Sequence, residues 1–241
     1  MPETIRLYLQ DEPIFVAHAR IVAVRGNEVA VDRSPFYPGG GGQPPDEGQI
    51  RFENGETLKV TSAFSDDRGI IWHTTDPLPR QNIVGQIVQM GIDQERRLAL
   101  TRYHTVLHVL NTIALRDYGA WITGVQIGIE YSRIDFKFEN FSPEVAGELE
   151  TRVNRVLVKN CTLKAYSISE AEFAARPDLL RTLTVKPPIH NGQVRVVEIE
   201  GFDTQACGGT HVHNTGEIGN FSIFRTENKG RINKRFYIRL D

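Results

Sequence analysis

One stretch of the chain divides it and decides its fold: residues 93–119, DQERRLALTRYHTVLHVLNTIALRDYG. Asp93 suits an N-cap, because its carboxylate can accept hydrogen bonds from the free amides of a first helical turn. Apolar residues then recur at the three- and four-residue spacing of a helix. Gly119 can end that helix in a left-handed conformation. The sequence therefore predicts one long helix here.

The chain before this helix has a different pattern, of short β-rich runs separated by turns. The predicted strands lie at residues 5–9, 15–24, 29–31, 50–52, 58–62, 70–73 and 83–90, with a hairpin turn at 25–27. Short strands at such spacing predict a small β-barrel or sandwich.

The chain after the helix mixes both kinds of pattern. Predicted strands form a pair within residues 127–138 and follow at 162–168, 194–199, 221–224 and 232–240. A second helix is predicted to begin at Ser142 and Pro143, since proline suits a first helical turn. Helices packed on one face of a mainly antiparallel sheet make an α+β domain. We therefore expect two domains: residues 1–91, which carry a glycine-rich loop, and residues 92–241.

Composition excludes several classes of protein. With 40% hydrophobic and 24% charged residues the chain resembles an ordinary soluble protein. No apolar run suits a signal peptide or a membrane span. Two cysteines provide no disulfide framework, which fits a reducing compartment. We expect a cytoplasmic protein without a membrane partner.

Two pairs of side chains are typical of metal ligands. His104 and His108 lie four residues apart in the predicted helix and so share one face. Cys207 and His211 flank a turn with two glycines, whose freedom lets the backbone bend until thiolate and imidazole converge. Three nitrogens and one sulfur make a tetrahedral donor set for zinc. The alternative is that the histidines, or a reduced cysteine acting as a small hydrophobe, belong to the core.

The sequence around these pairs resembles the editing domain of alanyl-tRNA synthetases and its free-standing relatives, the AlaX proteins. The matching motifs follow the family's order along nearly the whole chain: residues 36–43, 102–110, 132–136, 205–212, 214–219 and 227–235. The resemblance implies a β-barrel followed by a two-layer α+β editing domain. It also implies zinc as cofactor, with His104, His108, Cys207 and His211 as ligands.

The activity that the resemblance implies is hydrolysis of mischarged tRNA(Ala), chiefly Ser-tRNA(Ala), with Gly-tRNA(Ala) as a second candidate. An apolar pocket built for alanine rejects an added hydroxyl by only about a hundredfold, so a second, hydrolytic site is needed. The chain has no recognisable ATP-binding domain, so we expect an aminoacyl-tRNA hydrolase that acts in trans. Whether zinc activates water, polarises the ester or only positions the substrate stays open, since four protein ligands normally make a closed site.

A glycine-rich loop is the first candidate for the substrate pocket: Gly39, Gly40, Gly41, Gly42 and Gln43. It lacks the lysine and hydroxyl residue of a phosphate loop, so no nucleotide cofactor is expected. Backbone amides of such a loop can approach a ligand closely. Thr123 and Gln126, after the histidine helix, are candidate polar groups for sorting serine from alanine.

Basic residues cluster in two places and predict contacts with tRNA phosphates. These residues are Arg96, Arg97 and Arg102, then Lys229, Arg231, Lys234 and Arg235. Exposed basic faces are common in proteins that bind no nucleic acid, so the residues alone leave both interpretations open.

Three other functions compete with this one. A zinc peptidase of the His-Glu-x-x-His type is disfavoured because residue 105 is threonine. A non-catalytic, zinc-stabilised tRNA-binding module would keep metal and RNA affinity without turnover. A threonyl-type editing domain shares the ligand pairs, but the glycine-rich segment favours the alanyl branch. The sequence makes no prediction of oligomeric state.

Overall fold

The computed structural model describes residues 1–10, 13–139, 141–142, 144–182 and 187–241. Within them the chain forms two compact units. Unit 1 comprises residues 1–40 and 44–98, and unit 2 comprises residues 41–43 and 99–241. We continue to propose a domain boundary between residues 91 and 92. Pro143, predicted to begin the second helix, lies outside the described residues.

Unit 1 is built from eight strands. They are β1 (Ile5–Arg6), β2 (Val16–Arg25), β3 (Glu28–Val31), β4 (Arg33–Ser34), β5 (Gly48–Phe52), β6 (Thr57–Ser65), β7 (Ile71–Asp76) and β8 (Ile87–Ile92). Six of them close into a barrel in the order β2-β3-β7-β6-β5-β8. Every pair in the barrel is antiparallel. The predicted barrel is therefore confirmed.

The barrel closes around an apolar interior because its strands alternate. In β6, Leu58, Val60 and Ala63 are buried while the residues beside them are wholly or partly exposed. Successive side chains of a strand point to opposite faces, so Leu58 and Val60 reach the same interior, and an irregularity directly after Val60 returns Ala63 to that face. Ile50 and Met90, on neighbouring strands, are fully buried in the same cluster. A closed barrel also leaves no sheet edge open to another chain.

Helix α1 (Gln94–Tyr118) confirms the predicted long helix. The Asp93 carboxylate accepts a 3.0 Å hydrogen bond from the amide of Arg96, and Gly119 follows the last turn with φ +62°. The pattern of burial differs from the one-sided stripe that the apolar spacing suggested. Residues 103–114 are all buried, including polar ones. Buried polar groups need partners, and those partners build the site described below.

Unit 2 adds two short helices and eight strands to α1. They are β9 (Trp121–Gln126), β10 (Ser132–Lys137), α2 (Glu144–Leu157), β11 (Leu163–Ser169), α3 (Glu170–Ala174), β12 (Ile189–His190), β13 (Gln193–Ile199), β14 (Asp203–Ala206), β15 (Phe221–Asn228) and β16 (Asn233–Leu240).

The strands of unit 2 form two sheets, where the sequence suggested one. The first sheet has the order β15-β16-β10-β9 and shares one apolar core with α1 and α2. The second joins β11, β13 and β12, with β14 on β13. All of these pairs are antiparallel. The predicted α+β class is confirmed.

One local prediction was wrong, and one strand was not predicted. The first strand after α1 occupies residues 121–126, ahead of the predicted 127–138. The sequence also gave no sign of β14, because Asp203, Thr204 and Gln205 are polar. Tertiary pairing with β13 overrides their weak strand preference.

No helix among the described residues is both long enough and apolar enough to span a membrane.

Candidate metal centre

Four donor side chains converge within unit 2. His104 and His108 lie on adjacent turns of α1, and Cys207 and His211 follow β14. One ligand atom from each lies within 4.8 Å of all the others. The Cys207 sulfur lies 3.5 Å from Nε2 of His104 and 3.3 Å from Nε2 of His211. The structure thus brings together the four side chains that the sequence nominates.

These distances suit a tetrahedral zinc ion. Bonds of about 2.0–2.1 Å to nitrogen and about 2.3 Å to sulfur, set at tetrahedral angles, separate nitrogen from sulfur by about 3.5 Å. The two measured sulfur–nitrogen distances are 3.5 Å and 3.3 Å. Three imidazoles and one thiolate are also donors that zinc prefers. The residues present therefore fit the ion.

Gln43 sets the tautomer of His104. Its Oε1 lies 2.8 Å from Nδ1 of His104 and also accepts the amide of Thr210 at 3.2 Å. A backbone amide can only donate, so the atom facing both groups is the acceptor oxygen. The proton of His104 must then sit on Nδ1, which leaves the Nε2 lone pair directed toward Cys207.

Thr105 does the same for His211. Its hydroxyl donates to the carbonyl of Thr101 at 2.9 Å, since a carbonyl can only accept. That hydroxyl therefore accepts from Nδ1 of His211, at 3.1 Å. The Nε2 lone pair of His211 again faces the Cys207 sulfur. Such partners orient imidazole ligands in metal sites and raise their basicity.

The turn between the two later donors is shaped by close approach. A Cβ added to Gly209 would lie 2.2 Å from Cε1 of His104, so only glycine leaves room for that ring. Neither Gly208 nor Gly209 has a positive φ. The sequence argument assigned these glycines a bending role, and the structure shows instead that Gly209 provides space.

Arg195 holds this turn in place. On β13, its Nη1 donates to the carbonyls of Cys207 at 3.0 Å and Gly209 at 2.8 Å. The guanidinium also brings a positive charge close to the sulfur and so favours a thiolate. Sequence reasoning missed this residue, because a lone arginine within a strand carries no motif.

Gln205 links β14 to α1. Its Nε2 donates to the carbonyl of His108 at 3.2 Å and to Oγ1 of Thr112 at 2.9 Å. Its Oε1 accepts from Asn111 at 3.2 Å. These bonds satisfy buried polar groups of α1 and fix the start of the segment that leads to Cys207. Gln205 lies in a motif noted above, but nothing in its residue type disclosed the contact.

Burial controls protonation at the four donors. It lowers the pKa of His104 to about 3, aided by the nearby charge of Arg195. Burial also lowers the pKa of His108 and His211 well below the usual value, as do neighbouring imidazoles and Arg195. For Cys207, burial raises the pKa, while the Gly209 amide and Arg195 oppose the rise. The imidazoles are therefore neutral at pH 7 and offer lone pairs to a cation.

The glycine-rich loop is part of this neighbourhood through Gln43. Gly39, Gly40, Gly41 and Gly42 all have positive φ, between +57° and +137°. A Cβ on Gly42 would lie 2.7 Å from Cγ1 of Val125, and the carbonyl of Gly42 accepts from the amide of Ile127 at 2.9 Å. Gly42 is thus held against β9 directly before Gln43. The contact residue on β9 is Val125, which sequence reasoning did not nominate.

Thr123 and Gln126 lie elsewhere on β9. Thr123 is exposed and donates to Oδ1 of Asn233 at 2.7 Å. Gln126 is exposed opposite Arg133 of β10, whereas Val125 lies opposite the buried Ile134. Strand alternation therefore directs Gln126 away from the face covered by α1. The structure does not bring either residue to the four donors, and their role in selectivity stays a prediction.

The predicted phosphate contacts divide by burial. Arg97 is buried, ion-paired with Asp46, and donates to the carbonyl of Pro35 at 2.7 Å. Its Nε and Nη2 are thus engaged within unit 1 and little of the side chain is exposed, so its predicted contact with tRNA stays a prediction. Arg96 pairs with Glu47 at 3.2 Å.

The predicted contacts in unit 2 are also partly engaged. Arg102 donates to the carbonyls of Ile218 and Asp241. Arg235 makes two 2.7 Å bonds to Asp135. Lys229 and Arg231 are exposed and Lys234 is half-buried; Lys229 lies 3.8 Å from Glu227, and Lys234 donates to Oδ1 of Asn228 at 2.7 Å. Arg231 is therefore the member of the set most open to a phosphate.

Comparison with known proteins connects this site to one family. Residues 194–237 match the model of the threonyl and alanyl tRNA synthetase second additional domain, and residues 9–96 match that of class II (A) tRNA synthetases. The chain is 37% identical to the alanyl-tRNA editing protein AlaX-M of Saccharolobus solfataricus, over 97% of this chain and 98% of the relative. It is 38% identical to AlaX-M of Methanosarcina mazei, over 89% and 87% of the two chains.

A longer relative shares the same region. The alanine–tRNA ligase of Korarchaeum cryptofilum is 36% identical over 93% of this chain, which corresponds to 25% of the ligase. The full-length match to the free-standing proteins, the barrel followed by an α+β unit, and the His/Cys cluster all agree with the resemblance noted in the sequence. The chain belongs to the AlaX-M family of alanyl-tRNA editing proteins.

Proposed function

We propose that the protein is a zinc-dependent aminoacyl-tRNA hydrolase that deacylates mischarged tRNA(Ala). Ser-tRNA(Ala) is the chief substrate and Gly-tRNA(Ala) the second. The observation that carries the proposal is the orientation of two imidazoles: Gln43 and Thr105 direct the Nε2 lone pairs of His104 and His211 toward Cys207. Lone pairs gathered in this way suit a cation between them.

The chain's own residues prepare the site. His104, His108, Cys207 and His211 would hold a zinc ion, which would supply Lewis acidity for ester hydrolysis. Gln43 and Thr105 keep two of the rings in the metal-binding tautomer before any ligand arrives. Arg195 fixes the carbonyls of the turn that carries Cys207. Preorganised groups need no rearrangement during the reaction, which lowers its barrier.

The substrate is proposed from the family and from one energetic argument. The relatives are named alanyl-tRNA editing proteins. A pocket with polar groups for the serine hydroxyl would spare Ala-tRNA(Ala), because those groups would be left unpaired by alanine. We retain residues 39–43, Thr123 and Gln126 as proposed pocket residues. Arg96, Arg97, Arg102, Lys229, Arg231, Lys234 and Arg235 are retained as proposed tRNA contacts, and the cytoplasm as the site of action.

The experiment is release of serine from Ser-tRNA(Ala), beside alanine from Ala-tRNA(Ala), by wild type and Cys207→Ala. Cys161→Ala is the matched control, since Cys161 contributes no donor to the cluster. We expect wild type and the control to release serine and spare alanine, and Cys207→Ala to lose most activity. RNA binding without turnover by the zinc-loaded wild type would instead indicate a non-catalytic binding module. Equal hydrolysis of both substrates would reject the proposed selectivity.

A further inference from the structure

The sheet β15-β16-β10-β9 has one face on the core of unit 2 and another that no helix of the described chain covers. We name this second surface the outer face. Three aromatic rings meet on it: Tyr131, Phe224 and Tyr237. Their centroids form a triangle with sides of 6.1, 6.2 and 6.1 Å. Tyr131 is 46% exposed and Phe224 is 45% exposed, so the rings are not part of a core.

Arginines accompany these rings. The guanidinium of Arg239 lies 4.8 Å from the ring centre of Phe224, and that of Arg225 lies 5.0 Å from the ring centre of Tyr237. Arg133, on β10, lies opposite Tyr237 of β16 and has no ion-pair partner among the described residues. Glu227 pairs with Arg225 and accepts from the hydroxyl of Tyr237 at 3.1 Å. The three rings and three arginines, which we call the aromatic–arginine patch, therefore carry a net positive charge.

The patch continues in one row across the sheet. Arg225 lies opposite Tyr237, Tyr237 opposite Arg133, and Arg133 opposite Gln126. Strands about 4.8 Å apart give this row a length of about 14 Å, the span of a few nucleotides. It ends on β9, whose Val125 contacts Gly42; Ile127, directly after β9, donates to the carbonyl of Gly42, next to Gln43. The row thus ends on the strand that contacts the glycine-rich loop, on the sheet face turned away from α1.

This combination selects one class of ligand. Exposed aromatic rings on a four-stranded antiparallel sheet stack unpaired bases, and arginines between them pair with phosphates and stack on bases. A duplex has no unpaired base faces to offer along its length. We propose that the aromatic–arginine patch binds unpaired nucleotides near the 3′ end of the substrate RNA, with Gln126 at the β9 end of the row. This inference rests on the proposed function, because it takes an aminoacylated RNA as substrate.

Binding of uncharged RNA tests the inference without requiring catalysis. The probes are two fluorescent hairpins that copy the acceptor stem of tRNA(Ala), one with a four-nucleotide unpaired 3′ extension and one blunt. Fluorescence anisotropy should show wild type binding the extended hairpin about tenfold more tightly. Tyr131→Ala/Phe224→Ala should weaken binding to the extended hairpin about tenfold or more and remove the preference. Arg133→Ala should weaken both hairpins and reduce the salt dependence of binding.

Matched variants separate the patch from general surface effects. Tyr166→Ala and Arg155→Ala remove an exposed tyrosine and arginine elsewhere in unit 2 and should leave both dissociation constants unchanged. Phe224→Tyr keeps a ring and should keep the preference. Wild-type affinity and preference in Tyr131→Ala/Phe224→Ala would overturn the inference. So would a wild-type dimer that this double variant dissociates in sedimentation, since the patch would then be a self-interface.

Kinetics on Ser-tRNA(Ala) keep this inference distinguishable from the proposed function. The double variant should raise KM about tenfold and leave kcat near the wild-type value. Unchanged KM with normal hydrolysis would reject the patch alone. Absent hydrolysis by wild type, with the hairpin preference intact, would reject the deacylase alone.

Discussion

Gln43 accepts a 2.8 Å hydrogen bond from Nδ1 of His104, across 61 positions of sequence. The bond ties the glycine-rich loop to the metal centre, because the same side chain also receives the amide of Thr210 and donates to its hydroxyl. The loop therefore orients the His104 ligand through Gln43, in addition to any role in enclosing the substrate. Three predictions concern the metal centre and a fourth concerns His73 in unit 1. A final measurement tests the central claim.

Replacing Gln43 should weaken metal binding. Gln43→Ala removes the acceptor that fixes the His104 tautomer, and loss of such a partner costs about 10- to 100-fold in metal affinity. Gln43→Glu keeps an acceptor oxygen for both His104 and Thr210 and should stay within a few-fold of wild type. Competition with a zinc chelator measures both affinities. The exposed Gln49→Ala serves as control, and equal affinity of Gln43→Ala and Gln49→Ala would reject the positioning role.

The hydroxyl of Thr105 should affect both zinc affinity and the stability of the fold. Thr105→Val keeps the shape but removes the acceptor for His211 and for the amide of Val212 at 3.2 Å. We expect about tenfold weaker zinc binding, and about 1–3 kcal/mol less stability because a buried amide loses its partner. Thr105→Ser should restore both. Chelator competition and urea unfolding provide the two measurements, and unaltered zinc affinity in Thr105→Val would contradict the tautomer argument.

Gly209 should tolerate no side chain. Its Cβ would lie 2.2 Å from the His104 ring, so Gly209→Ala must displace either the ring or the turn that carries Cys207. Zinc content after purification should fall and serine release with it. Gly147→Ala, in helix α2 with no atom within 4 Å of the added Cβ, is the control and should stabilise the protein by up to about 1 kcal/mol. Normal zinc content in Gly209→Ala would show that the turn adapts.

The metal ligands could be predicted from the sequence, but the residues that orient them could not. The His104/His108 pair follows from helix spacing, and the Cys207/His211 pair from its turn, because both are local patterns. The partners of those donors are not local: Gln43 and Arg195 reach the site only through tertiary packing. Their residue types occur throughout any chain, so no motif identifies them.

The same limit applies to the basic residues. In sequence, Arg96 and Arg97 are equivalent members of one cluster, but only Arg97 reaches Asp46, which lies 51 positions away. The α+β class, the barrel and the long helix were predictable from periodicity. The division of unit 2 into two sheets depends on strand pairings such as β13 with β14. The polar sequence of β14 does not predict that pairing.

The stability of unit 1 should depend on pH through His73. Burial lowers the pKa of His73 to about 4, and its two ring nitrogens contact Val29 and Ser34 at 3.0 and 2.8 Å. The unfolded chain takes up this proton near the ordinary pKa of about 6.5. Between pH 6.5 and 4 the unfolded state therefore binds more protons, and stability falls as the pH is lowered, by about 3 kcal/mol over the window.

A matched pair of variants isolates this contribution. Urea unfolding of wild type and His73→Gln at several pH values should give curves whose difference shrinks as the pH falls from 6.5 to 4. The exposed His18→Gln should follow wild type throughout. A constant difference between wild type and His73→Gln would mean that His73 titrates alike in both states.

The most direct test of the central claim is a zinc titration of metal-free wild type, followed by serine release from Ser-tRNA(Ala) and alanine release from Ala-tRNA(Ala). If His104, His108, Cys207 and His211 hold the ion on which deacylation depends, serine release should rise from near zero to a plateau at one zinc per chain while alanine stays bound. Full activity before zinc is added, or one zinc bound per chain with no serine released, would contradict the account.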